Sequence, residues 1–164
     1  MNPPPYDTFP AFYTGDLFLR RLTVNDLNDI IEISHYGGKP MASEGEALEM
    51  LKRIDNNYLD GTSISWGITT SDGKVAGSIG YYRGFSGNTG EIGFILKKDF
   101  EGKGYMTAAV KAAVDFGFDT IGLGRVVAIT RRDNSKARAV LERTEMEMTR
   151  ELKDDYVEYV IERK

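Results

Sequence analysis

The chain has 164 residues, 41% hydrophobic and 28% charged, which fits one globular domain with a substantial core. It has no cysteine, which excludes disulfides, thiolate metal sites and a cysteine nucleophile; any Ser-His or histidine-based metal site would rest on His35 alone, and no metal is expected. The net charge of −4 and pI near 5.1 argue against a nucleic-acid or anionic-membrane binder.

No apolar run approaches the ~20 residues of a membrane span, and Met1 to Tyr6 lack a basic-then-apolar leader pattern, so a cytoplasmic location is the default expectation. Four of the five prolines fall in the first ten residues, so residues 1–13 are expected to form an extended arm and 14–164 a single domain. Leu17 to Leu22 alternates like a strand. Thr23 and Asp26 then make a helix start, with Val24, Leu27, Ile30, Ile31 and Ser34 at helical spacing up to Gly37-Gly38. Ser43 and Glu46 open a second helix with Ala47, Leu48, Leu51 and Ile54 on its apolar face. Two strand-like runs, 63–70 and 74–83, flank Asp72-Gly73 and predict a hairpin. After a Gly- and Ser-rich loop, Glu91 to Leu96 reads as a third strand, and Gly104 to about Phe118 as an apolar, buried helix. Arg125 to Thr130 is a run typical of a strand covered on both faces; a right-handed crossover places it parallel to Glu91–Leu96. A last helix follows Asn134, and 148–152 with 156–161 reads as a closing hairpin.

The turn between the third strand and its helix is the most informative stretch. Gly102 and Gly104 admit backbone conformations closed to other residues. They would leave the amides of Gly102, Lys103, Gly104, Tyr105 and Met106 pointing outward at a helix N-terminus, where an anion such as a diphosphate is favoured. A P-loop is excluded, because Gly-Lys-Gly104 lacks the Ser or Thr that holds magnesium; a dinucleotide fingerprint is excluded because Thr107 stands at its third glycine. A plain strand-to-helix turn is the alternative.

The segment Glu101-Gly-Lys-Gly104-Tyr-Met106 resembles the acetyl-coenzyme-A loop of the GNAT acyltransferases, Gln/Arg-x-x-Gly-x-Gly/Ala. Glu91-Ile-Gly-Phe-Ile-Leu96 upstream is similar to the RimJ/RimL-like branch of ribosomal-protein N-terminal acetyltransferases. The family's second signature is matched by Asn134 and Ala137, then Leu141-Glu142-Arg143. Glu101 stands where Gln or Arg is usual, Met106 where a small residue is usual, Leu141 where many relatives have tyrosine, and Glu145-Met146 where Gly-Phe is usual. The resemblance, which runs from Leu17 onward, implies an α/β (α+β) fold. Its mixed, mostly antiparallel sheet would have about seven strands with a central splayed parallel pair, flanked by about four helices.

It also implies acetyl-coenzyme A (acetyl-CoA) as co-substrate, its amide arm pairing with the backbone of Phe94, Ile95 and Leu96 and its diphosphate on Gly102 to Met106. Asn134 would add a hydrogen bond, beside its local role as helix N-cap. Without a cysteine, transfer to a primary amine would be direct, with a backbone amide near Ile95 as oxyanion donor. Glu91 is the expected base, sharing a face with Gly93, which would leave room for substrate, and Ile95; a surface carboxylate is the alternative. Ser135 is the candidate acid, with Tyr156 as substitute; alternatively Ser135 is a helix-start hydroxyl, and the thiolate leaves without a dedicated acid. His35 is expected to meet a helix C-terminus, and Trp66, Tyr81 and Tyr82 to pack on the sheet. The expected acceptor is a protein N-terminal amine. A small amine such as a polyamine, amino acid or aminoglycoside, and a non-catalytic acyl-CoA sensor, are the alternatives, with monomer or homodimer left open.

Overall fold

A computed structural model describes residues 1–164. One mixed α/β sheet holds eight strands: β1 (Phe12–Thr14), β2 (Leu17–Arg20), β3 (Ile64–Thr69), β4 (Val75–Tyr81), β5 (Thr89–Leu96), β6 (Arg125–Arg131), β7 (Glu147–Glu151) and β8 (Tyr156–Glu162). Their order is β1-β2-β3-β4-β5-β6-β8-β7, antiparallel throughout except for β5 and β6. Four α-helices accompany it: α1 (Leu27–Ser34), α2 (Glu44–Leu59), α3 (Tyr105–Phe116) and α4 (Ser135–Arg143). The strand beyond the expected seven is β1, whose Phe12, Tyr13 and Thr14 pair with Leu19, Phe18 and Leu17.

The proline-rich arm is held by hydrogen bonds at both ends. Asn2 N–H donates to the Ile121 carbonyl at 2.6 Å, and the Trp66 indole donates to the Pro10 carbonyl at 2.7 Å. Phe12 closes the arm over Trp66 and Phe116, with ring centroids 5.6 and 5.9 Å away.

Local capping follows the letters. Thr23 and Asp26 form a capping box, but around a short 3-10 turn that leads into α1. Asp26 is buried and takes a bidentate pair of bonds from Arg20, both 2.9 Å. Burial would raise its pKa; the Arg20 and Thr23 hydrogen bonds outweigh it and hold the carboxyl below its usual range. Ser43 caps α2 by accepting from Glu46 N–H at 3.3 Å. His35 is the C-cap of α1, as expected of a histidine there.

The glycine stop missing after α4 is replaced without loss of geometry. Glu145 adopts φ +63°, Glu145 N–H donates to the Glu142 carbonyl at 3.2 Å, and Met146 N–H donates to the Leu141 carbonyl at 3.0 Å. These are the two bonds of a Schellman motif, with buried Met146 as its apolar partner.

One face of the sheet packs on α3 and α4, in a core containing Trp66, Ile79, Tyr81, Val110, Val126 and Leu141. Buried Tyr81 donates to the Ala113 carbonyl at 2.8 Å, and burial pushes its phenol up. The other face meets α1 and α2 over β3 and β4. There Gly37 passes so close to Ile95 that any side chain at 37 would overlap it. No helix is long and apolar enough to cross a membrane.

Candidate active site

The parallel ladder between β5 and β6 runs only from Thr89–Arg125 to Ile92–Ala128, although β5 continues to Leu96 and β6 to Arg131. On its other side β5 stays paired with β4 through Gly77–Leu96. The β6-facing polar groups of Gly93 to Leu96 therefore line an opening in the sheet. A cleft of about 720 Å³ occupies this opening. Phe94, Ile95 and Leu96 form one wall, Glu101, Gly102 and Met106 its rim, and α4 the opposite wall, from Asn134 and Ser135 through Ala139 and Val140 to Arg143. Tyr36 reaches in from the connection between α1 and α2.

The rim is built by two left-handed glycines, Gly102 at φ +76° and Gly104 at φ +77°, with Gly104 as the N-cap of α3. No side chain caps this helix, and the N–H groups from Gly102 to Met106 donate to no other protein group. Free amides at a helix start favour an anion. The side chain of Lys103 turns away from the cleft, its ammonium 5.5 Å from the Phe100 ring centre and 5.9 Å from that of Tyr105. Lys103, Gly104 and Tyr105 thus contribute backbone at the rim, whereas Phe94, Ile95, Leu96, Gly102, Met106 and Asn134 line the cleft itself.

Asn134 caps α4, its side-chain oxygen accepting from Ala137 N–H at 3.2 Å; its NH2 group donates to no protein group. Ser135 also lines the cleft, at the first residue of α4. Tyr156 lies outside the lining, and Leu141 is turned fully into the core, so a hydroxyl at that position could not reach the cleft.

Glu91 stands apart from Ser135, outside the cleft lining and three residues, ~10 Å, upstream of Phe94 on β5. Its side chain is 23% exposed and pairs with Arg83, Nε to carboxylate 3.5 Å. The space expected beside Gly93 is filled: the Tyr82 ring lies 3.2 Å from where a Cβ would stand. Gly93 makes room for an aromatic ring instead of a substrate, and Tyr82 is 43% exposed above it, while Trp66 and Tyr81 are buried.

Three contributors were not anticipated. Lys136 bridges the cleft mouth in an ion pair with Glu101, joining the rim to α4. Arg143 continues the same stripe of α4, and the spacing 136, 139, 140, 143 was the available signal. Lys97, directly after β5, is 5% exposed and binds Asp29 at 2.6 Å and Glu32 at 2.7 Å, tying α1 to the strand below the cleft. Burial would lower its pKa, and the two carboxylates more than reverse that, leaving it raised. No group of three or more His, Cys, Asp or Glu side chains is placed to hold a metal.

Comparison with known proteins gives this geometry a context. A family model described as "Acetyltransferase (GNAT) domain" matches residues 16–147. The N-acetyltransferase YoaA of Bacillus subtilis (strain 168) is 28% identical over 142 residues, covering 81% of this chain and 80% of its own. Among solved structures, Mycobacterium smegmatis RimJ in complex with CoA-disulfide superimposes with a TM-score of 0.80 at 20% identity, covering 89% of this chain and 81% of that one. Spermidine N-acetyltransferase from Vibrio cholerae, in complex with CoA and spermine, does so with a TM-score of 0.78 at 18% identity, covering 90% and 96%. At these identities the two structures show a shared fold.

Proposed function

The chain belongs to the GNAT acetyltransferase family and is an N-acetyltransferase, and from that premise we propose that it uses acetyl-CoA to acetylate a protein N-terminal amine. The observation that carries this reading is the set of five free amides from Gly102 to Met106, at the rim of a cleft whose other wall is unpaired strand backbone. A diphosphate fits the first and an amide-containing arm fits the second.

The arm would run along Phe94, Ile95 and Leu96, with Asn134 donating through its free NH2 group. The thioester carbonyl then lies against the backbone of β5, where an N–H near Ile95 stabilises the developing oxyanion. The amine lone pair attacks the carbonyl carbon, the C–S bond breaks, and the acetyl group moves directly to nitrogen. Glu91 accepts the amine proton; its distance from Phe94 along the strand calls for a relay through water. Ser135 is the hydroxyl of α4 at the cleft and is assigned to relaying a solvent proton to the departing thiolate, its own O–H proton being replaced from water as it is given up. Holding both reactants in one opening supplies the orientational part of the rate enhancement.

The experiment is calorimetric titration with acetyl-CoA, which needs no knowledge of the acceptor. Micromolar binding by the native chain, weakened at least 100-fold by Gly104→Asp, is expected. The variant places a carboxylate and a Cβ at a left-handed position beside the diphosphate. Equal binding by both proteins would remove the cofactor from this rim.

A further inference from the structure

Two glycines face each other where β5 leaves the parallel ladder. Gly80 of β4 is opposite Gly93, with Tyr81 opposite Ile92 on one side of the pair and Ser78 opposite Ile95 two residues along on the other. Side chains alternate along strands, so Ser78, Tyr82, Glu91 and Ile95 share the face on which the two glycines would carry theirs, while Ile79, Tyr81 and Ile92 belong to the core on the other. Beside the cleft, this face is therefore bare by two side chains.

Tyr82 covers the bare spot. Its N–H donates to the Glu91 carbonyl at 3.2 Å, which sets the residue level with Glu91. From there its ring leans along the strands over Gly93, where Cδ2 and Cε2 each lie 3.2 Å from the position of a Cβ. The phenol end reaches the Ser78 and Ser65 hydroxyls; burial pushes it up to about 12, and the hydrogen bonds with the two serines offset part of that rise. Because Ser78 is opposite Ile95, the side chain spans the strand from the level of Glu91 to that of Ile95. The phenol is neutral and pinned, yet Tyr82 is 43% exposed, so its ring borders open space instead of core.

That space adjoins Phe94 and Ile95, the cleft residues of β5 nearest to Gly93. The free amides of the rim lie past Leu96, from Gly102 to Met106, so an arm bound along β5 runs from them through Leu96 and Ile95 toward Phe94. Its acyl end then points back along the strand to Gly93. Ahead of it the sheet closes, because β5 and β6 are paired again at Ile92 and Ala128. On one side lies the core, with Ile92 and Ala128 buried and Phe94 packed against it. On the other side Gly93 supplies no side chain, and the Tyr82 ring is the wall. With the thioester carbonyl near Ile95, two residues of strand, ~7 Å, separate it from Gly93. An acetyl methyl takes up a small part of that length, and each added methylene carries the chain further toward the ring and the closed ladder.

We propose that Tyr82 sets the acyl-chain length, admitting the acetyl group of acetyl-CoA and rejecting acyl groups the size of butyryl and larger. The proposal rests on the reading that the coenzyme lies in this cleft with its arm along β5. A ring held at both ends does not swing aside freely, and pressing methylenes into filled space is resisted as overpacking is in a core. Covering glycines with an aromatic ring also steadies a strand pair. That structural role is indifferent to the acyl group, so the two roles can be separated.

The test is calorimetric titration with CoA, acetyl-CoA, butyryl-CoA and hexanoyl-CoA. The native chain is expected to bind acetyl-CoA about tenfold or more tighter than butyryl-CoA, with hexanoyl-CoA weaker still. In Tyr82→Ala the three acyl-CoAs should bind within about threefold of one another, with the affinity for CoA itself unchanged. Tyr82→Phe keeps the ring and should keep the selection. Tyr82→Leu still covers the glycines with a shorter side chain and should lose most of it; it is the variant to read if thermal melting shows Tyr82→Ala to be unfolded. Equal binding of acetyl-CoA and butyryl-CoA by the native chain, or selection that persists in the alanine or leucine variant, overturns the proposal and leaves the coenzyme site standing. Loss of selection in Tyr82→Phe would assign it to the hydroxyl and overturn the role of the ring. Binding of none of the four ligands overturns the coenzyme reading as well.

Discussion

Around the cleft, five amides between Gly102 and Met106 and the open edge of β5 come from one continuous stretch of chain. On the face that carries Glu91, the charged groups come from five places: Arg83 after β4, Glu91 on β5, Arg125 on β6, Glu147 and Arg150 on β7, and Glu158 and Glu162 on β8. The first region is made of backbone, whose donors are present whatever the side chains are. The second is made of side chains brought together by strand order. A backbone site tolerates substitution nearby and suits a ligand common to a whole family. A side-chain site changes with one residue and suits a ligand that differs between members.

Lys97 lies outside both regions, just past the end of β5 and against α1, and gives the largest expected effect on stability. Lys97→Met would leave Asp29 and Glu32 facing each other without a cation. Breaking a buried ion pair costs about 3–5 kcal/mol, and partial exposure of the two carboxylates lowers this to about 2–3 kcal/mol. The midpoint of thermal unfolding should fall by roughly 5–10 °C. Because the folded-state pKa of Lys97 is raised, its contribution is complete below the pKa of an unfolded lysine and is lost as pH rises through the folded value. The deficit of the variant should therefore be full at neutral pH and shrink in the alkaline range. Calorimetric affinity for CoA should change little, since no amide of the rim moves. A loss of CoA binding as large as the loss of stability would break the distinction between the two regions.

A smaller effect tests whether side chains matter at the backbone-built site. Glu101 occupies a position where its carboxylate faces the expected diphosphate, and Lys136 neutralises it across the mouth. Glu101→Gln should free Lys136 for phosphate and tighten CoA binding about threefold; Lys136→Met should weaken it about twofold to fivefold, as expected for an exposed pair worth about 0.5–1 kcal/mol. Both shifts should fade in high salt. Weaker binding by Glu101→Gln would mean that the carboxylate itself holds the ligand.

The same division explains what could be read from the chain. Glu91 to Leu96, the turn through Gly102 and Gly104, and the apolar helix behind it are each encoded within a few neighbouring residues, and they stand where periodicity and glycine spacing put them. Strand β1 escaped because three residues next to a proline-rich arm carry no period; they are ordered by pairing with β2. Lys97 read as a charge after a strand, and its partner Asp29 is 68 residues away. Glu158, in Tyr156-Val-Glu-Tyr-Val160, reads as the polar member of an alternating strand; it is buried only because Arg150 and Arg125 arrive from other strands. Room at Gly93 was visible, but that Tyr82 would take it depended on how β4 pairs with β5.

The smallest expected effect concerns the end of α4, where backbone geometry persists against the preference of its residue. Glu145 holds φ +63° because the Schellman bonds to Glu142 and Leu141 and the burial of Met146 all require the turn. A left-handed conformation costs a side-chain-bearing residue about 1–2 kcal/mol, and glycine avoids this while losing more freedom on folding. Glu145→Gly should therefore stabilise the protein by about 0.5–1 kcal/mol, raising the unfolding midpoint by roughly 1–4 °C with unchanged CoA affinity. Glu145→Ala keeps the Cβ and should give none of this gain. If alanine stabilised as much as glycine, the strain would lie in the glutamate side chain, and the turn would belong with the side-chain-built parts of the molecule.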